Sequence, residues 1–318
     1  MPPPRWRCRQ CTVDGARLMG LAARLPAALL GFTLLGSAQL PAAPPSAPAA
    51  AEAAPIPKAP NVVGPFTLQG QLIQGGAVIG TAPKGTSLLT LDGESVPLTA
   101  DRKFLIAFDR DHGPSAILVA TLGDGTQQRQ QLAIAPRAWD ISRLDTLPKY
   151  PVPRPEFDKL RPAELAQINA ARKLQTDAAG WRQMPFFWPV VGRISTLFGS
   201  QRIYRGEPGS YHSGIDVARP SGTVVLAPAD GVVILAAAKP FTLEGNLLMI
   251  DHGAGLNSAF MHLSRIDVKL GEHVRRGQPI GAVGMTGRAT GPHLHWSLKW
   301  REARIDPLLV AGSMPVTD

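Results

Sequence analysis

The chain has 318 residues, room for two domains of ordinary size, with 32 glycines, 31 prolines and only 6% aromatic residues. That balance favours many turns and short strands over long helices. Its formal net charge is +9, yet residues 1–38 hold five arginines against one aspartate, so the rest is mildly basic; no basic run is interleaved with aromatics, which excludes a recognisable nucleic-acid-reading module.

In chain order, residues 1–38 read as a signal peptide. Arg17 and Arg24 precede an apolar run over 25–38, and Gly36-Ser37-Ala38 offers small residues for cleavage. The run is short of the roughly 20 residues that a membrane span needs. Met19 is a second candidate start. Cys8 and Cys11 have C-x-x-C spacing, but both lie before the run and no second pair exists, so they are read as a chance pair and the exported chain as free of cysteine.

Residues 39–60 are rich in Ala and Pro and predict an extended linker. Residues 61–145 predict an accessory β domain of the immunoglobulin kind. Runs starting at Phe66, Ser87, Phe104 and Ala116 are strand-like, with turn signals at Gly75-Gly76, Asp92-Gly93 and Gly123-Asp124-Gly125. His112 is read as a turn residue. Residues 146–183 form a connector: a Pro-rich run over 147–155, then a helix over roughly 161–178 with Leu165 and Ile168 at helical spacing, read as a spacer rather than a lid. Residues 184–318 are β again, with strands in quick succession and short glycine-punctuated connections, which predicts a compact antiparallel barrel or sandwich. The fold class expected is therefore mainly β. His252 is read as serving a turn between two strands, and His273 as solvated in a polar loop.

Chemistry concentrates in that last region. His212-Ser213-Gly214-Ile215-Asp216 offers an imidazole and a carboxylate four residues apart; Met261-His262-Leu263 offers another imidazole; His293-Leu294-His295 offers two more. On an extended strand, residues two or four apart share a face. Two histidines and a carboxylate are the ligand set of a catalytic zinc site, which keeps a position open for water. His212, Asp216 and one histidine of the H-L-H pair satisfy that count, though spacing alone does not say which. The remaining histidines suit a general base or oxyanion contact, because no H-E-x-x-H glutamate is present.

At these residues the chain resembles a known family. Over residues 193–308, Phe198-Gly199-Ser200, Tyr211-His212-Ser213-Gly214-Ile215-Asp216, the Val225–Val233 segment, Met261-His262-Leu263-Ser264, Val274–Gly281 and Val283–Trp296 resemble the lysostaphin/LytM-type zinc metallopeptidases, which cut peptide bonds in bacterial peptidoglycan. The resemblance implies a duplicated-hybrid-motif-like β fold, one Zn2+ held by His212, Asp216 and His295, and an unliganded catalytic pair, His262 and His293. It implies peptidoglycan as substrate, action in the periplasm after export, and a cell-wall amidase or divisome component as a partner. Residues 61–183 resemble, more weakly, the accessory domain and connector of secreted members. One departure lies in the loop before His212: where many relatives carry an asparagine and an arginine, this chain has Arg205 and Gly209, which bears on substrate preference and leaves the metal site intact.

Three other readings compete. A ligand-stripped regulator that activates an amidase would show substituted ligand positions, and all five are filled here. A biotinyl or lipoyl carrier needs a lysine at a tight hairpin turn, which Gly271–Gly281 lacks. A non-haem iron oxygenase could use the same three ligands, but export and the two extra histidines favour zinc.

Overall fold

The computed structural model describes residues 61–146 and 155–315. The expected signal peptide with Cys8, Cys11 and Met19, the 39–60 linker and most of the Pro-rich run lie outside the described residues.

The first eight strands are β1 (Asn61–Val63), β2 (Phe66–Gly70), β3 (Ala77–Thr81), β4 (Thr86–Leu91), β5 (Glu94–Ser95), β6 (Lys103–Ala107), β7 (Ser115–Leu122) and β8 (Gln127–Ala133). They form two antiparallel sheets, ordered β1-β2-β3-β6 and β5-β4-β7-β8. Alternation does the sorting: Phe66 and Leu68 of β2, Leu89 and Leu91 of β4, and Ala116, Leu118 and Ala120 of β7 turn into one core. The polar strand β8 was not predicted. It is an edge strand that buries only Leu132, so its sequence carries almost no alternation.

Next comes β9 (Ile141–Leu144), then α1 (Pro155–Arg172). Helix α1 departs from expectation in three ways. It starts at Pro155 rather than near 161, with Pro162 inside it; it stops at Arg172 rather than near 178; and its buried face is Glu164, Ile168 and Ala171, with Leu165 exposed. The helical period is real but the face is turned by one residue, because a carboxylate occupies the place expected for a leucine. Nor is it a free-standing spacer, since it packs on the sheet described next.

The remaining strands are β10 (Arg193–Thr196), β11 (Gln201–Tyr204), β12 (Glu207–Pro208), β13 (Ile215–Ala218), β14 (Val224–Leu226), β15 (Gly231–Ala236), β16 (Asn246–Gly253), β17 (Leu256–Leu263), β18 (Arg265–Ile266), β19 (His273–Val274), β20 (Pro279–Ala282), β21 (His293–Trp300) and β22 (Ala303–Ile305), followed by α2 (Pro307–Ala311). One large sheet runs β10-β13-β21-β17-β16-β15-β19, with β22 paired to β21; β14-β20-β18 forms a second sheet, and β12-β11-β9 a third. The fold is thus mainly β, and its main core lies between the first two sheets.

Strand β16 reads out the two faces of the large sheet. Leu248 and Ile250 join the main core with Phe260, Leu294, Trp296, Val225 and Ile280. Leu247 and Met249 face the other way and meet Ile168 and Ala171 of α1, together with Ile234, Phe241 and Ala259. His252 is not a turn residue. It lies within β16, fully buried, with Nδ1 2.8 Å from the Asp230 carbonyl and Nε2 2.7 Å from Ser258 Oγ. His273 is exposed on β19, as expected.

The N-terminal sheets and the large sheet meet directly. Arg137 pairs with the buried Asp306 at 2.8 Å, and the Asp306 amide donates to the Gly75 carbonyl at 2.8 Å. β9 pairs in parallel with β11, so the end of the 61–145 region extends the hairpin that precedes His212.

Candidate metal centre

The face of the large sheet opposite its main core carries the histidine constellation. Asp216 on β13 lies directly across from His295 on β21, and His295 directly across from Met261 on β17. Directly opposed residues share a face, so the carboxylate and the imidazole are brought together by register. His293, two residues before His295, shares that face by strand period.

His212 and Asp216 do not reach each other along one strand, as period-two reasoning allowed. His212 lies in the loop before β13, held by backbone bonds: its amide donates to the Ser200 carbonyl at 2.8 Å and its carbonyl accepts the Gly199 amide at 2.9 Å. Gly214 lets this loop close in. A Cβ there would stand 2.4 Å from the Trp296 carbonyl oxygen and 2.7 Å from His295 Nε2, closer than side chains approach.

His262 should point away from its neighbour Met261. It does not, because the pairing of β16 with β17 shifts register between Asn246–Leu263 and Leu248–Phe260, and His262 takes a φ of +63°. A bulge of this kind re-aims a side chain. Its ring lies 4.8 Å from that of His293 and 6.3 Å from that of His295, centre to centre.

Three ligand-type atoms converge. His212 Nε2 is 3.0 Å from Asp216 Oδ1 and 3.0 Å from His295 Nδ1, and His295 Nδ1 is 2.8 Å from Asp216 Oδ1. A tetrahedron with bonds of about 2.1 Å has edges of about 3.4 Å, so the set needs only a slight expansion to hold such an ion. Tautomers favour it as well. His212 Nδ1 donates to the Leu197 carbonyl at 3.0 Å, which leaves Nε2 as a lone pair aimed at a carboxylate oxygen, an arrangement that requires a proton or a cation between them. His295 Nε2 is buried without a hydrogen-bond partner, so that ring is held from its Nδ1 side alone. The donor set fits a divalent ion.

Burial alone would raise the Asp216 carboxyl, but its contacts with His212 and His295 outweigh burial and hold it well below the usual carboxylate range. Burial pushes the His295 imidazole down. Burial also pushes His262 down to about 4, against the opposing pull of the Thr286 carbonyl, so its ring is neutral at pH 7. His262 Nδ1 donates to the Thr286 carbonyl and His293 Nδ1 to the Gly291 carbonyl, each at 2.8 Å. The neutral His262 ring therefore carries its lone pair on Nε2. His293 Nε2 is 3.8 Å from Asp216 Oδ1, beside the cluster but not in it.

All five residues singled out by sequence thus meet on one face. The residues that sequence reasoning missed are those that hold them. Arg110, 5% exposed, donates Nε–H to the Gly199 carbonyl at 3.0 Å and Nη2–H to Gln201 at 3.2 Å, and its guanidinium lies 4.8 Å from the Tyr211 ring and 5.1 Å from the Trp139 ring. The Tyr211 hydroxyl donates to Asp109 at 3.1 Å. On the other side, Arg161 and Glu164 of α1 contact Glu244 and Thr242. No periodicity or motif signals these contacts, because all but the Arg110–Trp139 pair join segments about 80 or more residues apart.

Residues 210–307 match peptidase family M23. The peptidoglycan DD-endopeptidase ShyA of Vibrio cholerae is 44% identical over 110 residues, 33% of this chain and 24% of that protein. The DD-carboxypeptidase/endopeptidase Mpg of Neisseria meningitidis is 42% identical over 130 residues, 40% of this chain and 29% of that protein. The chain therefore spans only about a quarter of the length of these curated relatives. A crystal structure described as a peptidase M23 from Pseudomonas aeruginosa is 29% identical and superposes with a TM-score of 0.58, covering 76% of this chain and 96% of that one.

Proposed function

We propose, from the premise that residues 210–307 are a peptidase family M23 domain, that this chain is a zinc-dependent endopeptidase of cell-wall peptidoglycan, hydrolysing peptide bonds in stem peptides or their cross-links. The observation that carries the reading is the convergence of His212, Asp216 and His295 within 3.0 Å of one another, with His262 and His293 alongside. The names of the Vibrio and Neisseria relatives support the same substrate class. An extracytoplasmic site of action follows from that substrate; among the described residues no helix is long and apolar enough to cross a membrane.

His212 Nε2, Asp216 Oδ1 and His295 Nδ1 would hold the ion. Zinc bound there supplies a Lewis acid with an open position, which activates water near neutral pH and polarises a carbonyl. His262, kept neutral by burial, offers Nε2 to take the proton of the attacking water, and its Nε2–H then donates that proton to the leaving amine. The Thr286 carbonyl holds the ring in the required tautomer throughout. His293, whose Nδ1 is taken by the Gly291 carbonyl, would serve the oxygen on which negative charge develops as an imidazolium, with the second proton on Nε2 as the donor. His212 is kept in its ligand tautomer by the Leu197 carbonyl.

The test is digestion of purified peptidoglycan by the protein with and without a chelator, with mass analysis of the fragments. The reading predicts peptide-bond cleavage that stops on chelation and returns with zinc. Intact peptidoglycan in every condition, together with stimulation of a cell-wall amidase by the chelated protein, would replace it with the regulator reading.

A further inference from the structure

The positive φ of His262 places a non-glycine residue in a region that is kept only where the surroundings over-determine it. A turn over residues 241–245 supplies that constraint. Phe241 and Gly245 exchange N–H···O bonds of 2.8 and 2.9 Å, the Glu244 carbonyl accepts the His262 amide at 2.8 Å, and the Leu243 carbonyl accepts the Arg288 amide at 3.0 Å. The turn also presses on Thr286, whose carbonyl holds the His262 ring: a Cβ on Gly245, itself at φ +67°, would stand 2.3 Å from Thr286 Oγ1. One turn thus fixes the backbone of His262 and backs the residue that orients its imidazole.

A further hold on the turn comes from outside residues 210–307. From α1, Arg161 forks onto the Glu244 carboxylate, Nη1 to Oε2 at 2.7 Å and Nη2 to Oε1 at 2.8 Å. Glu164 accepts the Thr242 amide at 2.6 Å and the Thr242 hydroxyl at 2.7 Å, and meets Arg161 at 3.3 Å. Glu244 is 4% exposed. A buried carboxylate without its partner is strongly disfavoured. Without Arg161 the turn must open to hydrate Glu244, and that opening draws its carbonyl away from the His262 amide.

We infer that Arg161, supported by Glu164, is a positioning residue for His262: α1 sets the catalytic ring by clamping the 241–245 turn through Glu244. This rests on the reading of His262 as part of a peptidase centre, and the experiment separates the two. The full chain is compared with Arg161→Ala, Arg161→Lys and the double variant Arg161→Ala/Glu244→Met, by amide hydrogen exchange and by turnover of a purified cross-linked muropeptide dimer. Arg161→Ala is expected to speed exchange at the His262 and Arg288 amides about tenfold or more while Met249 stays protected, and to lower kcat about tenfold with KM within about twofold. Arg161→Lys, which keeps the charge but not the fork, recovers part of both and serves in its place if the alanine variant does not fold. The double variant removes the stranded charge and restores protection at His262. Unchanged His262 exchange in Arg161→Ala overturns the inference. Failure of the unsubstituted protein to cleave the dimer overturns the peptidase reading instead, and the exchange data still decide whether α1 holds His262.

Discussion

His212, within the cluster, and His262, beside it, are mounted in different ways. The turn that carries Gly199 and Ser200, the backbone partners of His212, is pinned by the N-terminal region, through the buried Arg110 between Tyr211 and Trp139 and through Asp109 on the Tyr211 hydroxyl. The His262 backbone is pinned by a helix, through one forked ion pair and one carboxylate on a turn amide. The first support is a broad stack of rings and hydrogen bonds in which no single contact dominates. The second rests on two carboxylates, Glu244 and Glu164, that meet a single turn. In the roles proposed for them, His212 as a ligand and His262 as a general base place different demands on their supports: a bound ion would correct a small error in a ligand, whereas nothing would correct the direction of a base.

The comparison can be broken at several points. His295→Ala removes the ligand that both sides converge on, and is expected to lower cleavage on the order of a thousandfold and abolish zinc binding, read by fragment release and metal analysis. His252 belongs to neither support and isolates the sheet between them. Burial holds its imidazole down to about 4, below the ordinary value of about 6.5, so between those values the unfolded chain binds a proton that the folded chain does not. Stability is therefore present at neutral pH and lost as pH falls. From this group alone, the loss from pH 7 to pH 5 is about 2 kcal/mol, measured by denaturant unfolding of the chelated protein, with the His252 ring followed by NMR.

Arg110→Ala is expected to weaken zinc affinity about tenfold, read by competition with a chromophoric chelator, while amide exchange at His262 stays as in the unsubstituted protein. Glu164→Gln keeps an acceptor for Thr242 but loses the charge beside Arg161, so kcat falls only about threefold and zinc affinity does not change. If Arg110→Ala disturbed His262 exchange as much as Arg161→Ala, the two supports would be one.

The candidate residues were legible in the sequence because they sit in short motifs: H-x-x-x-D, M-H-L and H-L-H name all five side chains that the structure brings together. The geometry was less legible. Period-two reasoning put His293 and His295 on one face correctly, but it joined His212 to Asp216 along a strand, whereas Asp216 meets His295 across one and His212 arrives from a loop. It also placed no residue at the face of Met261 next to it, because a bulge and a positive φ cannot be read from a pattern. The helix was visible and its face was not: Leu165 fits an apolar stripe, and only the Thr242 amide and hydroxyl with Arg161 explain why Glu164 is buried in its place. Strand β8 escaped because an edge strand needs little alternation.

The central claim is that His212, Asp216 and His295 form one zinc site. Native mass spectrometry of protein purified without an immobilised-metal column, then stripped and titrated with zinc, tests it most directly. The account predicts one zinc per chain at saturation and none in His295→Ala. A second equivalent of comparable affinity, or zinc retained by His295→Ala, would contradict it.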